Sequence, residues 1–364
     1  MANVIVDDVY LHDIADAIRA KNGTSETYSP SQMANAVNNI DNTGVGENAV
    51  DGMLAKTLRY ARFCSAPSIP SGTFSNFKSL EVAQFTQCSY IGSYAFYSCS
   101  ALMRADFPAC AVISNSAFYG CSSLSYVSFP ACSTVSQQAF TWCVALSVLS
   151  MPACERVGSS AFASCQALSV VNLPSVRVLN EFCFGRCESL AYASLPSCIS
   201  ISERAFYFCT SLSYVYAPNC SVLGRDAFDG CTSLSDIDVM NCSAIGSYAF
   251  YNCNSLGSIA LPECAVLYTN AFGYCSSLSQ AVLGKCVDIG SCAFSSCVNL
   301  TTVDLTGVSS VTTLPYSNAF YSTPIAGYSA TAGRLGRILV PASLYDGFVS
   351  AQNWSYYSSV IVAV

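Results

Sequence analysis

The residues best able to do chemistry are the 22 cysteines, and their spacing is regular. One ladder runs Cys99, Cys121, Cys143, Cys165, Cys187, Cys209, Cys231, Cys253, Cys275 and Cys297, each 22 residues after the last. A second runs Cys88, Cys110, Cys132, Cys154, Cys198, Cys220, Cys242, Cys264 and Cys286, which leaves only Cys64, Cys183 and Cys292 outside both. Thiols in such numbers can bridge as disulfides, hold a metal as thiolates or cycle between redox states. A metal needs several thiolates converging on one point, commonly from C-x2-C pairs, whereas an offset of 11 puts the two ladders on different walls of any repeating coil. Successive members of one ladder would lie one strand spacing apart, about 4.8 Å, a separation that permits a disulfide. Yet Phe77 stands in a first-ladder position and Val176 and Val308 stand in second-ladder positions. A ligand or disulfide partner could not be exchanged for valine without leaving an orphan, and a small buried apolar residue could. The expectation is therefore free core thiols, with no metal and no cofactor.

Other chemistry finds little material. His12 is the single histidine, and no nucleophile elbow, zincin, P-loop or dinucleotide fingerprint occurs, so no catalytic residue is assigned. Asp226, Asp229, Asp236 and Asp238 cluster in one stretch and read as solvated surface, with a hard-cation site as the alternative. Charged residues make up 10% of the chain, the net charge is −7 and the 15 basic residues are scattered, which argues against nucleic acid. The N-terminus lacks the basic start and unbroken apolar run of a Sec signal, and no run of about 18 apolar residues suggests a membrane span. These features point to a chain made and kept in a reducing cytoplasm.

The elements that must place the cysteines are equally periodic. Residues 69 to 310 divide into eleven units of 22 with the pattern h-x-x-x-A-F-x-x-C-x-x-L-x-x-h-x-h-P-x-C-x-x, where h is aliphatic or aromatic. One unit buries too little alone, and stacked units share a core, so the chain should coil as a solenoid. L-x-x-h-x-h alternates with period two and predicts a short strand pairing in parallel with its copies; A-F-x-x-C-x-x-L opposite has helical or 3-10 spacing. Phe74, Phe96, Phe118, Phe140, Phe162, Phe184, Phe206, Phe228, Phe250, Phe272 and Phe294 would form a buried aromatic column.

Residues flanking the central h of each strand should face outward: Arg104 and Asp106, Tyr126 and Ser128, Val148 and Ser150, Val170 and Asn172, Tyr192 and Ser194, Tyr214 and Tyr216, Asp236 and Asp238. They change character from copy to copy while the buried columns repeat, as a recognition surface would, and tyrosine among small polar residues supplies rigid contact area. Solubility and strand propensity would produce a similar pattern. The candidate ligand face is Arg104, Asp106, Tyr126, Ser128, Tyr192, Tyr214, Tyr216, Asp236 and Asp238. An alternative face follows each A-F and includes Tyr97, Tyr119, Trp142, Tyr207, Phe208, Tyr251 and Tyr274.

Three segments result: 1–49, a helical hairpin and linker; 50–310, a lead-in and the eleven coils; 311–364, an irregular last coil and a cap. In the first, Leu11, Ile14, Ala15 and Ile18 share a helical face ending at Asn22-Gly23, and Ser29, Pro30 and Gln32 open a second helix. In the last, Ile338-Leu339-Val340 reads as a strand and Pro341 as a helix start.

The period and the L-x-x-h-x-h-P-x-C signature resemble leucine-rich repeats of the BspA type, found in bacterial surface proteins and in phage and gut-microbial sequences. The resemblance covers about two-thirds of the chain and implies a solenoid used for adhesion. "LHDIADAIRAKNGTSETYSPSQMANAVNNI" is similar to an N-terminal module of phage tail and structural proteins. That resemblance implies attachment through Leu11, Ile14 and Ile18 to phage structural proteins. The expected function is a non-enzymatic virion adhesin (tail fibre, baseplate or capsid decoration), homo-oligomeric on the particle, whose repeats bind a host-surface protein or glycan. The alternative is a bacterial or prophage-encoded protein-interaction protein of the BspA type, cell-surface or effector-like, held at the bacterial surface or secreted by a non-Sec route.

Overall fold

In the computed structural model, residues 58–63, 66–327 and 335–364 are described. The expected hairpin, with Leu11, His12, Ile14 and Ile18, lies outside them, as does Cys64. The chain forms two compact units that divide between Leu173 and Pro174. Both are parallel β-solenoids built on one 22-residue coil.

The three-residue strands fall where period two predicts. In the first unit Arg104–Asp106 pairs in parallel with Tyr126–Ser128, Arg104 opposite Tyr126 and Asp106 opposite Ser128. In the second, Tyr192–Ser194, Tyr214–Tyr216 and Asp236–Asp238 pair the same way. Ala105, Val215 and Ile237 point inward and are buried. A proline stands two residues past four of these five strands, at Pro108, Pro130, Pro196 and Pro218, with Met240 after the fifth; having no N–H, proline cannot extend the ladder.

Each coil carries a second, two-residue strand absent from the sequence-based expectation. Tyr90–Ile91, Val112–Ile113, Thr134–Val135 and Arg156–Val157 pair in the first unit, and Val178–Leu179 through Asp288–Ile289 do so in the second. The signal was the h that opens each repeat, where Ile91, Ile113, Val135 and Ile201 are buried.

The segment expected to be helical or 3-10 is instead a run of β-turns whose amides alternate in direction. The N–H groups of Ala95, Tyr97 and Cys99 donate back to Gly92, Tyr94 and Phe96, at 3.3, 3.1 and 3.2 Å. Those of Tyr94, Phe96 and Ser98 donate outward to the carbonyls of Asn115, Ala117 and Tyr119 in the next coil, at 3.0, 2.7 and 2.7 Å. A 3-10 helix would spend every amide internally; here half cross-link coils. Tyr94 and Ser98 adopt φ of 59° and 56° to make the alternation, and Ser116, Trp142, Arg204 and Asp226 do the same. Glycine takes the position at Gly120 and Gly230, with φ of 69° and 75°.

The core is aromatic and sulfur-rich. Phe74, Phe96, Phe118, Phe140 and Phe162 stack with ring centroids 4.9 to 5.2 Å apart. In the second unit Phe184 to Phe320 repeat the column at 5.1 to 5.6 Å. Phe85, Phe107 and Phe129 add a second stacked column whose rings are inclined 60 to 72° to those of the first, with edge contacts such as 5.9 Å from Phe96 to Phe107.

Both cysteine ladders are buried, and their thiols have specific partners. First-ladder thiols donate to the phenylalanine carbonyl of the preceding coil: Cys99 to Phe74 at 2.9 Å, Cys121 to Phe96 at 3.1 Å, Cys275 to Phe250 at 3.0 Å. Second-ladder thiols donate to the carbonyl two residues on: Cys110 to Val112 and Cys132 to Thr134, both at 3.3 Å. Burial pushes the Cys154 thiol up to about 11 and those of Cys132, Cys198, Cys264 and Cys286 to about 12. The described cysteines stand as free thiols. Cys183 fills the alanine position of its coil, and Cys292 takes a left-handed turn position with φ of 54°.

At the C-terminal end Arg337–Val340 pairs with Thr302–Asp304, and Ile361–Ala363 pairs with Arg337–Val340. The buried Trp354 lies 6.3 Å from Phe320 and covers the end of the column. Its indole N–H donates to the Thr312 carbonyl at 2.6 Å, Asn353 donates to Leu314 at 2.8 Å and the Tyr357 hydroxyl donates to Ser317.

Candidate binding faces

The pleat sends both residues that flank each buried strand centre to the outside, so the strand face is a two-column surface. In the first unit Arg104, Asp106 and Tyr126 come together. The Arg104 guanidinium lies 4.3 Å from the Tyr126 ring centroid and its Nη2 is 3.4 Å from Asp106 Oδ2. Gln84 donates to the same oxygen at 3.4 Å, and Ser128 sits half-buried beside the group. Val148 and Val170 present apolar surface at the equivalent outward positions.

In the second unit the same columns carry Tyr192, Tyr214 and Asp236 in one, and Ser194, Tyr216 and Asp238 in the other. Tyr192 and Tyr214 stack at 5.8 Å with ring planes 22° apart. Burial, then the nearby Asp236 and Asp238 carboxylates, raise the Tyr214 phenol above its ordinary value. Asp238 Oδ1 is withdrawn from solvent without a hydrogen-bond partner.

The turn wall carries the alternative face. Tyr97 and Tyr119 stack at 5.1 Å, with Tyr94 edge-on to Tyr97 at 5.7 Å, and Trp142 stands 49% exposed. In the second unit Tyr207 packs against Phe208 at 4.6 Å, and Tyr251 packs against Tyr248 and Tyr274 at 5.4 and 5.2 Å. Arg204 and Arg225 lie 5.9 and 5.8 Å from the Tyr207 and Tyr248 rings. Both arginines also pair with the buried Asp226, at 3.1 and 3.4 Å. Tyr94, Arg225 and Tyr248 were not singled out from sequence, although the repeat leaves their positions free.

The four aspartates near residue 230 do not converge. Asp226 and Asp229 lie in the turns, Asp236 and Asp238 on the strand. Burial, then the Asp226 charge, pushes the Asp229 carboxyl up to about 6. Among the described residues no group of His, Cys, Asp or Glu could hold a metal ion, and no helix is long and apolar enough to cross a membrane.

Comparison with known proteins agrees with this geometry. The family model for the BspA type leucine rich repeat region matches six copies over residues 55–153, 133–241 and 199–326. A leucine-rich repeat protein from Bacteroides ovatus shares the fold with a TM-score of 0.52 and 19% identity, over 81% of this chain and 87% of that one. A leucine rich cell surface protein from Faecalibacterium prausnitzii aligns at 22% identity and a TM-score of 0.42, over 80% and 86%. No curated protein matches. With the family match spanning well over half its length, the chain belongs to the BspA-type leucine-rich repeat family.

Proposed function

We propose that this chain is a non-enzymatic protein-binding solenoid of a bacterial surface, and that its strand face makes the contact. The observation that carries the reading is the contrast between columns. The buried Phe and Leu positions repeat in every coil and the Cys positions in nearly every one, while the outward strand positions run Arg, Tyr, Val and Val in the first unit and Tyr, Tyr and Asp in the second. A surface kept only for solubility has no need of exposed stacked tyrosines, which offer large contact area at small entropic cost. Family membership supports the same class of function, and the cell-surface description of the Faecalibacterium prausnitzii protein is compatible with it.

A virion role rests on residues 11–40 alone, which lie outside the described residues; neither the fold nor the family match supports it. The bacterial-surface alternative is therefore the reading adopted. The test is adhesion of beads coated with the purified chain to epithelial monolayers and mucin. Y192S/Y214S/Y216S should reduce retention about tenfold with the circular dichroism unchanged, the scale expected for losing aromatic anchors. Equal retention would rule out the strand face, and loss in W142S instead would move the site to the turn wall.

A further inference from the structure

We propose that the strand face of the second unit takes an arginine-bearing extended segment of a partner protein. The proposal rests on the binding role of that face and adds the chemistry of what binds.

The chain itself shows how it holds a guanidinium. Three described arginines lie against tyrosine rings, Arg104 at Tyr126, Arg204 at Tyr207 and Arg225 at Tyr248, and each also pairs with an aspartate, Asp106 or Asp226. Ring below and carboxylate beside satisfy both properties of arginine, its stacking plane and its donor fork. In the Arg104 example the arginine and aspartate flank the buried centre of one strand, and the tyrosine lies opposite the arginine in the next coil.

Residues 192–238 present the same ring and carboxylate partners on adjacent coils with the arginine missing. Tyr214 lies opposite Asp236 and Tyr216 opposite Asp238, with Tyr192 stacked behind Tyr214. Among the described residues neither aspartate pairs with a cation, and no Lys or Arg occupies an outward strand position from Tyr192 to Asp304. Asp238 keeps an oxygen that is shielded from water and has no donor, which adds to the demand for one. Neutralising this face from outside needs a cation that also stacks, and a guanidinium does both where an ammonium supplies only charge. The two tyrosine–aspartate pairs lie two residues apart along the same two strands, about 7 Å, so an extended chain running along the strands can set every second residue, an arginine, against one pair.

The test is fluorescence anisotropy of the full chain with a labelled peptide alternating arginine and serine, beside its lysine counterpart, at low salt. The arginine peptide should bind several-fold more tightly than the lysine peptide. D236N/D238N should weaken it about tenfold, the scale of a charge-assisted fork, and Y214S/Y216S should weaken it several-fold. E181Q/E188Q removes equal charge from exposed positions of the same unit outside the strand face and should change nothing. Should D236N/D238N lower the melting temperature, D236K at the exposed Asp236 gives the same reading. An unbound arginine peptide, or equal weakening by E181Q/E188Q, overturns the proposal. If the peptide fails while Y192S/Y214S/Y216S still abolishes bead retention, the fault lies with the arginine assignment and not with the binding face.

Discussion

At the scale of single residues, cysteine does two things here that no other small side chain does together. It fills space as an apolar group, and its S–H serves a backbone carbonyl at 2.9 to 3.4 Å in either ladder. The second ladder already accepts valine at Val176 and Val308, so Cys132→Val should change stability by less than about 1 kcal/mol in urea denaturation. Cys121→Ala removes both the volume and the donor to Phe96 and should cost about 1–2 kcal/mol in the same measurement. Thiol labelling of the native protein should be slow at the buried ladders and fast at Cys292, the one described cysteine that is not buried. In a Cys64→Ser background, Cys292→Ser removes that fast fraction; undiminished fast labelling would show the ladders to be open.

At the scale of the element, the turn run is where stability can still be added. Ser98 holds φ at 56°, a region that costs a residue with a Cβ about 1–2 kcal/mol. Ser98→Gly should therefore be neutral or raise the melting temperature slightly, because glycine's entropy partly cancels the relief, and Ser98→Val should lower it. The contrast also marks how far the sequence could be read. Period-two alternation located the three-residue strands, and the Phe and Cys columns located the core, because burial imposes both patterns directly. A-F-x-x-C-x-x-L has helical or 3-10 spacing, and the turns keep the i to i−3 bonds of a 3-10 segment only at alternate residues. Nothing in the spacing reports that Phe96 and Ser98 send their amides to the next coil. Glycines at Gly120 and Gly230, in register with Ser98 and Trp142, were the available clue. Of the candidate faces, sequence named most residues but not their company: Arg104 on Tyr126, Tyr192 on Tyr214 and Tyr97 on Tyr119 depend on side-chain geometry between coils.

At the scale of the whole molecule, so many protonated thiols make the fold sensitive to alkali. A buried thiol binds its proton more tightly folded than unfolded, so its stabilising effect is complete below the unfolded value near 9 and declines above it. The stability held by Cys132, Cys198, Cys264 and Cys286 falls progressively between about 9 and about 12, and that held by Cys154 between about 9 and about 11. Circular dichroism should show cooperative unfolding within that window, and a flat signal to pH 12 would contradict it. Trp354 is the other molecule-wide element. Trp354→Ala uncovers the end of the Phe column and should cost about 3–5 kcal/mol. It should also bring concentration-dependent sedimentation, since an unshielded solenoid end offers a surface to a second copy. The strict register of 22, in which Tyr192, Tyr214 and Asp236 stand directly opposite one another, has a further consequence for descent. A gene that loses or duplicates one repeat keeps every buried column continuous and swaps only the outward letters, so such chains can acquire new specificities by copying whole coils.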